Sequence, residues 1–212
     1  MFLCIYCIII TIVLKYRKAY KGSGSMKIVA IYGSARKNGN CAAVVDTTLE
    51  LLGGDAENTI KRYHLADMEI KPCLGCFSCR KKEGCVHEDE MNDLFWEIVN
   101  SDFVIFSSPV YCMDISGPFK MMYDRLYPTL GGEPGAYKPR YPGKKCMLIL
   151  SQGAPRFMFR SVPRRVKKTL KMNGFDNVAT VVSDLSNPIG AARKNVRLHK
   201  QLERICKKIK QG

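Results

Sequence analysis

Hydrophobic positions along the chain form two kinds of segment: short runs rich in β-branched residues, and longer segments in which apolar residues recur with the period of a helix. The short runs predict five β-strands, over residues 26–32, 59–65, 102–106, 145–150 and 178–183. The longer segments predict helices over residues 41–52, 90–100, 117–126, 162–172 and 191–210. Because strands and helices alternate, we expect an α/β protein with a five-stranded parallel sheet and helices on both faces.

The loops that follow the strands are the places to search for a binding site. In parallel sheets of this kind, ligands bind beyond the carboxyl ends of the strands, where the strand order reverses. The loops after strands one, three and four cover residues 33–40, 107–116 and 151–155. Strand three is predicted to end before Pro109, because proline cannot donate a hydrogen bond to the ladder. A long loop with four closely spaced cysteines, residues 67–89, follows strand two and is called the Cys loop below.

Composition narrows the class of protein. A chain of 212 residues with 46% hydrophobic and 25% charged residues can bury a core as one domain, which excludes disorder and collagen-like or coiled-coil architecture. The formal net charge of +15 raises the question of an acidic partner. The basic runs at 164–168 and 207–210 contain no aromatic residues and match no nucleic-acid motif. We therefore interpret them as solvated helix faces, or else as a docking surface for an acidic redox partner, and expect no nucleic acid.

The N-terminal segment admits two interpretations. Residues 2–14 are apolar except for Thr11, but a helix of this length rises only about 20 Å, short of a bilayer core of ~30 Å. The flanks of a secretory signal are absent, and residues 22–25 resemble a flexible linker. Residues 1–25 are thus either an extension upstream of a functional domain at 26–212, or a weak membrane anchor. In both cases we expect this domain in the cytoplasm.

The loop at 33–40 contains the parts of a phosphate site. It matches neither the Gly-rich dinucleotide fingerprint nor the P-loop. It does join a buried strand to a helix N-terminus, and it carries the Ser34 hydroxyl, the Asn40 amide and the cations Arg36 and Lys37. The alternative is a polar turn in which Asn40 is the N-cap of the helix. The loop after strand four is expected to contribute a further, weaker part of the binding site, at Ser151 and Gly153. Glycine at this position lets the backbone approach a ligand closely.

Two segments together resemble a known family. The segments are residues 26–41, MKIVAIYGSARKNGNC, and residues 107–125, SSPVYCMDISGPFKMMYDR. They are similar to the NAD(P)H-dependent FMN reductases and iron–sulfur flavoproteins of the flavodoxin superfamily. The resemblance implies a flavodoxin-like three-layer sandwich with the Cys loop inserted after strand two. It implies that the FMN phosphate is bound by Ser34, Arg36, Asn38, Asn40 and Cys41. It further implies that the isoalloxazine lies along Pro109, Val110, Tyr111, Cys112 and Met113.

The Cys loop is a candidate metal site. Cys73, Cys76, Cys79 and Cys85 are separated by two, two and five residues, and a [4Fe–4S] cluster needs four thiolates in such a compact loop. A Cys₄ zinc site and small structural cysteines without metal stay open; disulfides are disfavoured without a secretory signal. The resemblance favours the cluster, because the relatives continue with Cys-Val-x-x-Asp-x-Met, here residues 85–91 with His87 and Glu88 as departures. Asp124-Arg125 also resembles an Asp-Arg pair at a helix end in this family, and we interpret it as an anchor for packing.

The functional expectation is an FMN-dependent oxidoreductase. A flavin accepts a hydride or single electrons and a cluster carries one electron at a time, so together they convert between the two kinds of transfer. We expect NAD(P)H or a ferredoxin-like donor, an undefined acceptor, a homodimer or a higher homo-oligomer, and no catalytic acid or base from the protein. The alternatives are a non-catalytic flavin/iron–sulfur electron carrier and a cluster-free NAD(P)H:FMN or quinone reductase.

Overall fold

The structure, a computed structural model, describes residues 24–133 and 135–211. All but the last two residues of the predicted leader, 1–25, therefore lie outside the described residues. Within the described ranges, no helix combines the length and the apolar character needed to cross a membrane.

Five long parallel strands form the central sheet. In chain order the strands are β1 (Lys27–Tyr32), β2 (Thr59–His64), β3 (Phe103–Tyr111), β4 (Asp114–Ile115), β5 (Leu130–Gly131), β6 (Lys138–Pro139), β7 (Lys144–Ser151) and β8 (Phe175–Ser183). The long strands lie in the order β2-β1-β3-β7-β8, and β4 pairs with β3 antiparallel. This order reverses between β1 and β3, as in flavodoxin-like sheets, so the predicted α/β fold with a five-stranded parallel sheet is confirmed.

Helices cover both faces of the sheet. They are α1 (Asn40–Leu51), α2 (Gly54–Glu57), α3 (Ser78–Lys81), α4 (Glu90–Asn100), α5 (Gly117–Asp124), α6 (Ser161–Met172), α7 (Ala191–Lys194) and α8 (Val196–Gln211). Successive residues of a strand point to opposite faces, so Val29 and Ile31 enter a core with α4, α5 and α6. Ile28 and Ala30 enter a second core with α1, α7 and α8. The result is the expected three-layer arrangement.

The prediction that strand three ends before Pro109 is wrong, because β3 continues to Tyr111. The Ser107 carbonyl accepts a hydrogen bond from the Gly33 N–H at 2.9 Å and so faces β1. Pro109, two residues further, faces the same side, but β1 has already ended at Tyr32, which pairs with Ser107. Its missing N–H therefore breaks no ladder bond. Residues 107–116 form a strand end and a hairpin instead of a loop.

Two other differences from the prediction are larger than a shift of one or two residues at the end of an element. β8 begins at Phe175 rather than at residue 178. The predicted helix over 191–210 is divided at Asn195, whose backbone is extended and whose Oδ1 accepts the Leu198 N–H at 3.0 Å. An asparagine in this position caps a new helix start, which is why α7 ends and α8 begins there.

Candidate functional site

The carboxyl ends of β1 and β3 are joined by side-chain hydrogen bonds. The Ser107 hydroxyl donates to the Ile31 carbonyl at 2.7 Å, and the Ser116 hydroxyl donates to the Gly33 carbonyl. The Ser108 hydroxyl accepts the Ser116 N–H at 3.0 Å. All three serines are buried. They fix the two loops of the reversal point relative to one another, a role that the sequence pattern did not reveal.

The loop after β1 presents unsatisfied donors at a helix N-terminus. Gly39 is the N-cap of α1, so the interpretation of Asn40 as the N-cap is wrong. No side chain caps this helix and no acidic residue lies in its first turn. The first N–H groups of a helix lack intrahelical partners, and with the dipole they attract an anion. The arrangement fits a phosphate group.

The side chains of the same loop add polarity and positive charge. The buried Ser34 hydroxyl accepts the Arg36 N–H at 3.1 Å, which tightens the turn. Arg36 and Asn38 are exposed, and Arg36 has no ion-pair partner among the described residues. Lys37 forms an exposed ion pair with Asp67 at 2.7 Å. Arg36 is therefore the cation of this loop that is available to an anion.

Asn40 and Cys41 use their side chains for the fold. The Asn40 amide donates to the carbonyls of Ser186 at 2.6 Å and Pro188 at 2.8 Å, and its oxygen accepts the Ala192 N–H at 3.0 Å. Burial raises the pKa of the Cys41 thiol to about 12, although a hydrogen bond with Ser107 opposes the shift. These two residues can reach a ligand at the helix N-terminus through their backbone N–H groups.

The hairpin between β3 and β4 carries the residues predicted to face the isoalloxazine. Pro109 and Val110 are buried in β3, whereas Tyr111 is 49% exposed and Met113 is 64% exposed. Cys112 and Met113 form the two-residue turn, with φ of 47° and 64°. The left-handed region is unfavourable for residues with side chains, so the turn is strained. An exposed aromatic ring and a thioether therefore project from a strained turn at the reversal point.

The loop after β7 is overlaid by the loop after β8, residues 184–190, which is not among the predicted site loops. Ser151 is buried at the end of β7. A Cβ on Gly153 would lie 1.9 Å from Oδ1 of Asn187, so the absence of a side chain there makes room for the loop after β8. The Gln152 N–H donates to the Ser183 carbonyl at 2.9 Å. The signal that could have indicated residues 184–190 is that β8 ends at the same edge of the sheet as β1 and β3.

The thiols of the Cys loop differ in environment. Cys73 and Cys76 are exposed, and Cys79 and Cys85 are half-buried. The Gly75 N–H faces the Cys73 sulfur at 3.4 Å, and hydrogen bonding by Ser78 lowers the pKa of Cys76. Burial, together with the charges of the other three cysteines, raises the pKa of Cys79. N–H groups directed at sulfur suit thiolates, so the chemistry of the donor set fits a metal–thiolate site.

The thiols are not drawn together into a closed site. Among the described residues, no three His, Cys, Asp or Glu side chains are close enough to one another to enclose a metal ion. The ring of His87 bonds to the Pro72 carbonyl at 3.1 Å, so its role in this structure is to hold the loop.

Two features define the class of protein as a flavodoxin-like α/β protein. They are the strand order and the uncapped helix N-terminus at the point where that order reverses. Residues 26–175 match the family model "NADPH-dependent FMN reductase", and the chain belongs to this family of oxidoreductases.

Sequence relatives agree with this assignment, and a solved structure shows the same fold. An iron–sulfur flavoprotein of Archaeoglobus fulgidus is 35% identical over 123 residues, 56% of each chain. An iron–sulfur flavoprotein of Methanosarcina thermophila is 31% identical over 100 residues, 47% of this chain and 52% of the relative. The chain thus matches about half the length of these relatives. The structure of an NAD(P)H:quinone oxidoreductase from Methanothermobacter marburgensis superposes with a TM-score of 0.67 at 14% identity, covering 87% of this chain and 99% of that one, and shows the same fold.

Proposed function

We propose that this protein is an FMN-dependent oxidoreductase that moves electrons between NAD(P)H, or a ferredoxin-like donor, and an acceptor, and that its Cys loop holds a [4Fe–4S] cluster. The observation that carries the flavin part is the uncapped N-terminus of α1 beside the exposed hairpin Tyr111–Met113, at the point where the strand order reverses.

In this proposal the chain binds and orients the flavin. The first N–H groups of α1, the Ser34 hydroxyl, Arg36 and Asn38 hold the phosphate. The hairpin offers Tyr111 and Met113 as flat and polarisable surface for the ring, and the segment Ser151–Gly153, covered by Asn187, closes the other side. Bound FMN would supply hydride and single-electron transfer. The protein then needs only to position the ring and exclude water, so no side-chain acid or base is assigned.

The cluster is the finer part of the proposal. Cys73, Cys76, Cys79 and Cys85 would hold it, supported by the N–H group of Gly75 and the hydrogen bonding of Ser78 at two of the sulfurs. The names of the relatives, iron–sulfur flavoproteins, point in the same direction. The visible spectrum of anaerobically purified full-length protein, with iron, sulfide and zinc analysis, tests this part. Zinc, or flavin without any metal after reconstitution, would overturn it.

The phosphate loop is tested by comparing two flavins. Ser34→Ala combined with Arg36→Ala removes a hydroxyl and a cation, and charge-assisted hydrogen bonds contribute about 1.5–3 kcal/mol each. FMN affinity should therefore fall at least about tenfold, while riboflavin, which has no phosphate, should lose far less. Lys37→Ala is the matched control, because its charge is already paired with Asp67 at the surface. Equal losses for FMN and riboflavin would contradict the assignment of this loop.

A second candidate is an electron carrier without enzymatic turnover. One face of α8 presents exposed cations that have no ion-pair partner among the described residues; they are Arg197, Lys200, Arg204, Lys207 and Lys208. The helix follows α7, which is bonded to Asn40 beside the phosphate loop, so this surface begins close to the proposed flavin. An acidic redox protein fits it by charge. Reduction by ferredoxin without oxidation of NADH or NADPH would favour the carrier.

The assembly is also part of the proposal. Large apolar side chains are exposed in the loops after β7 and β8, including Phe157 at 70% and Ile189 at 74%. We expect a second copy of the chain to cover them in a homodimer or a higher homo-oligomer. Light scattering of the purified protein measures this directly, and a monomer at all concentrations would contradict it.

A further inference from the structure

We propose that Arg125 and Asp89 are positioning residues that close the base of the Cys loop, so that its two ends are held together before any metal binds. From the sequence, Asp124-Arg125 is expected to be a packing anchor only. The inference rests on the proposed function for its consequence in metal binding, but its geometry stands on the contacts of the loop itself.

The Arg125 guanidinium joins the two ends of the loop. Arg125 follows the last residue of α5, and its side chain is 1% exposed. Its Nη1 donates to the Lys71 carbonyl at 2.8 Å and to Oδ2 of Asp89 at 2.9 Å, and its Nη2 donates to Oδ1 of Asp89 at 2.9 Å. The same carboxylate accepts the Lys71 N–H at 2.9 Å. One buried ion pair thus joins the segment before Cys73 to the segment after Cys85.

Neighbouring contacts extend this closure. The His87 ring bonds to the Pro72 carbonyl, and a Glu90 carboxylate oxygen accepts the Glu69 N–H. Side chains of residues 87, 89 and 90 therefore bind the backbone of residues 69, 71 and 72 along the base of the loop. The Asp of the Cys-Val-x-x-Asp-x-Met segment is Asp89, so the structure assigns this residue a physical role.

Closure matters because ordering a flexible loop is costly. The residues between Lys71 and Asp89 include all four cysteines, and gathering four thiols in an open loop would require its ends to be brought together at the same time. In the closed loop the two ends are already together without a metal, so only the thiols themselves remain to be gathered. Arg125 also has the Cys85 thiol as an electrostatic neighbour, and its buried Nε has no partner among the described residues. The guanidinium thus keeps a spare donor close to a candidate sulfur ligand.

A second arginine holds the middle of the loop independently. Arg140 Nη1 donates to the Cys79 carbonyl at 2.8 Å, and its Nη2 donates to the Arg80 carbonyl at 2.8 Å. Arg80 in turn stacks against the rings of Phe77, Tyr127 and Tyr137. Loss of Arg125 should therefore free the base of the loop while residues 79 and 80 stay attached.

The test compares full-length variants by hydrogen exchange without metal. Arg125→Lys keeps the charge but cannot make both parallel bonds to Asp89 and the bond to Lys71 together. We expect exchange at residues 69–75 and 85–90 to accelerate at least about tenfold, with exchange in β1 and β3 unchanged. Lys120→Met, which breaks an exposed ion pair with Asp124 on the same helix, is the matched control and should change neither region. Arg140→Ala should accelerate exchange only around residues 78–82.

The outcomes separate this inference from its alternatives. Should Arg125→Lys fail to fold, the double variant Arg125→Met/Asp89→Leu removes both buried charges and restores a neutral core; it should fold with the same local acceleration. Unchanged exchange in the loop, or acceleration spread evenly over the whole domain, would overturn the positioning role. After reconstitution, Arg125→Lys should retain less iron than the control. A wild-type protein that binds no iron contradicts the proposed cluster, and the exchange data still decide the role of Arg125.

Discussion

The strained hairpin turn at Cys112 and Met113 leads to a prediction about stability. Both residues lie in the left-handed region, with φ of 47° and 64°, and they connect Tyr111 of β3 to its partner Asp114 of β4. Two-residue hairpins with this geometry prefer Asn-Gly. Replacing Cys112→Asn and Met113→Gly should therefore stabilise the protein.

The size of the effect follows from the backbone. A left-handed conformation costs a residue with a side chain about 1–2 kcal/mol, and asparagine tolerates it better than cysteine. Glycine has no such penalty, but its larger conformational freedom in the unfolded chain offsets about 0.5–1 kcal/mol of the gain in stability. Cys112 and Met113 are exposed, so little packing is lost. The double variant should gain about 1–2 kcal/mol in the free energy of unfolding.

Urea denaturation of the flavin-free, full-length protein measures this gain. Leu185, with φ of 53° and 63% exposure, offers an independent check, since Leu185→Gly should also stabilise. Ile189→Gly is the contrasting control, because Ile189 is 74% exposed and its φ is not positive; glycine there should destabilise by about 0.5–1 kcal/mol.

An unchanged or reduced midpoint for the double variant would refute the argument from strain. A second measurement connects the turn to function. If Met113 contacts the flavin ring, the double variant should bind FMN up to about tenfold more weakly, since a sulfur–aromatic contact contributes about 0.3–1.5 kcal/mol. Greater stability with weaker FMN binding would mean that the side chains of the strained turn contribute to FMN binding at the expense of stability.

Three further predictions follow from the thiols and from α8. Replacing Cys73, Cys76, Cys79 or Cys85 singly by Ala should abolish iron binding and the broad absorbance near 400 nm expected of a cluster while FMN stays bound, whereas Cys146→Ala should leave iron content unchanged; iron retained by a loop variant would contradict the ligand assignment. Burial raises the pKa of Cys41 and of Cys146 to about 12 and that of Cys206 to about 11. These thiols should therefore resist iodoacetamide in the folded protein, and the free energy of unfolding should fall as the pH rises above the ordinary thiol pKa towards these values. Rapid alkylation of these thiols at neutral pH in the folded protein would argue against such burial. Arg197→Glu with Arg204→Glu should slow reduction by an acidic carrier protein at low salt and weaken its salt dependence, whereas equal rates for wild type and variant would exclude α8 as the docking surface.

Local pattern in the sequence was sufficient to locate the five long strands and the major helices and to predict the class of fold. A buried parallel strand is a continuous apolar run, and β1 and the middle of β7 are runs of this kind, so each could be located from its own residues. The phosphate loop is also local, because a strand, a short polar turn and a helix follow one another within a few residues. The spacing of the four cysteines is a local property for the same reason.

Contacts between distant parts of the chain decided the rest. Pro109 can lie within β3 only because β1 ends beside it, and no property of the proline itself indicates that. Asn40 looks like a helix cap in its own segment, but its amide is used by carbonyls more than 140 residues later in the chain. Asp89 and Arg125 are 36 residues apart and form a pair because α5 packs against the base of the Cys loop. Hydrogen bonds and burial depend on which elements meet, and this is determined by tertiary packing rather than by any single segment.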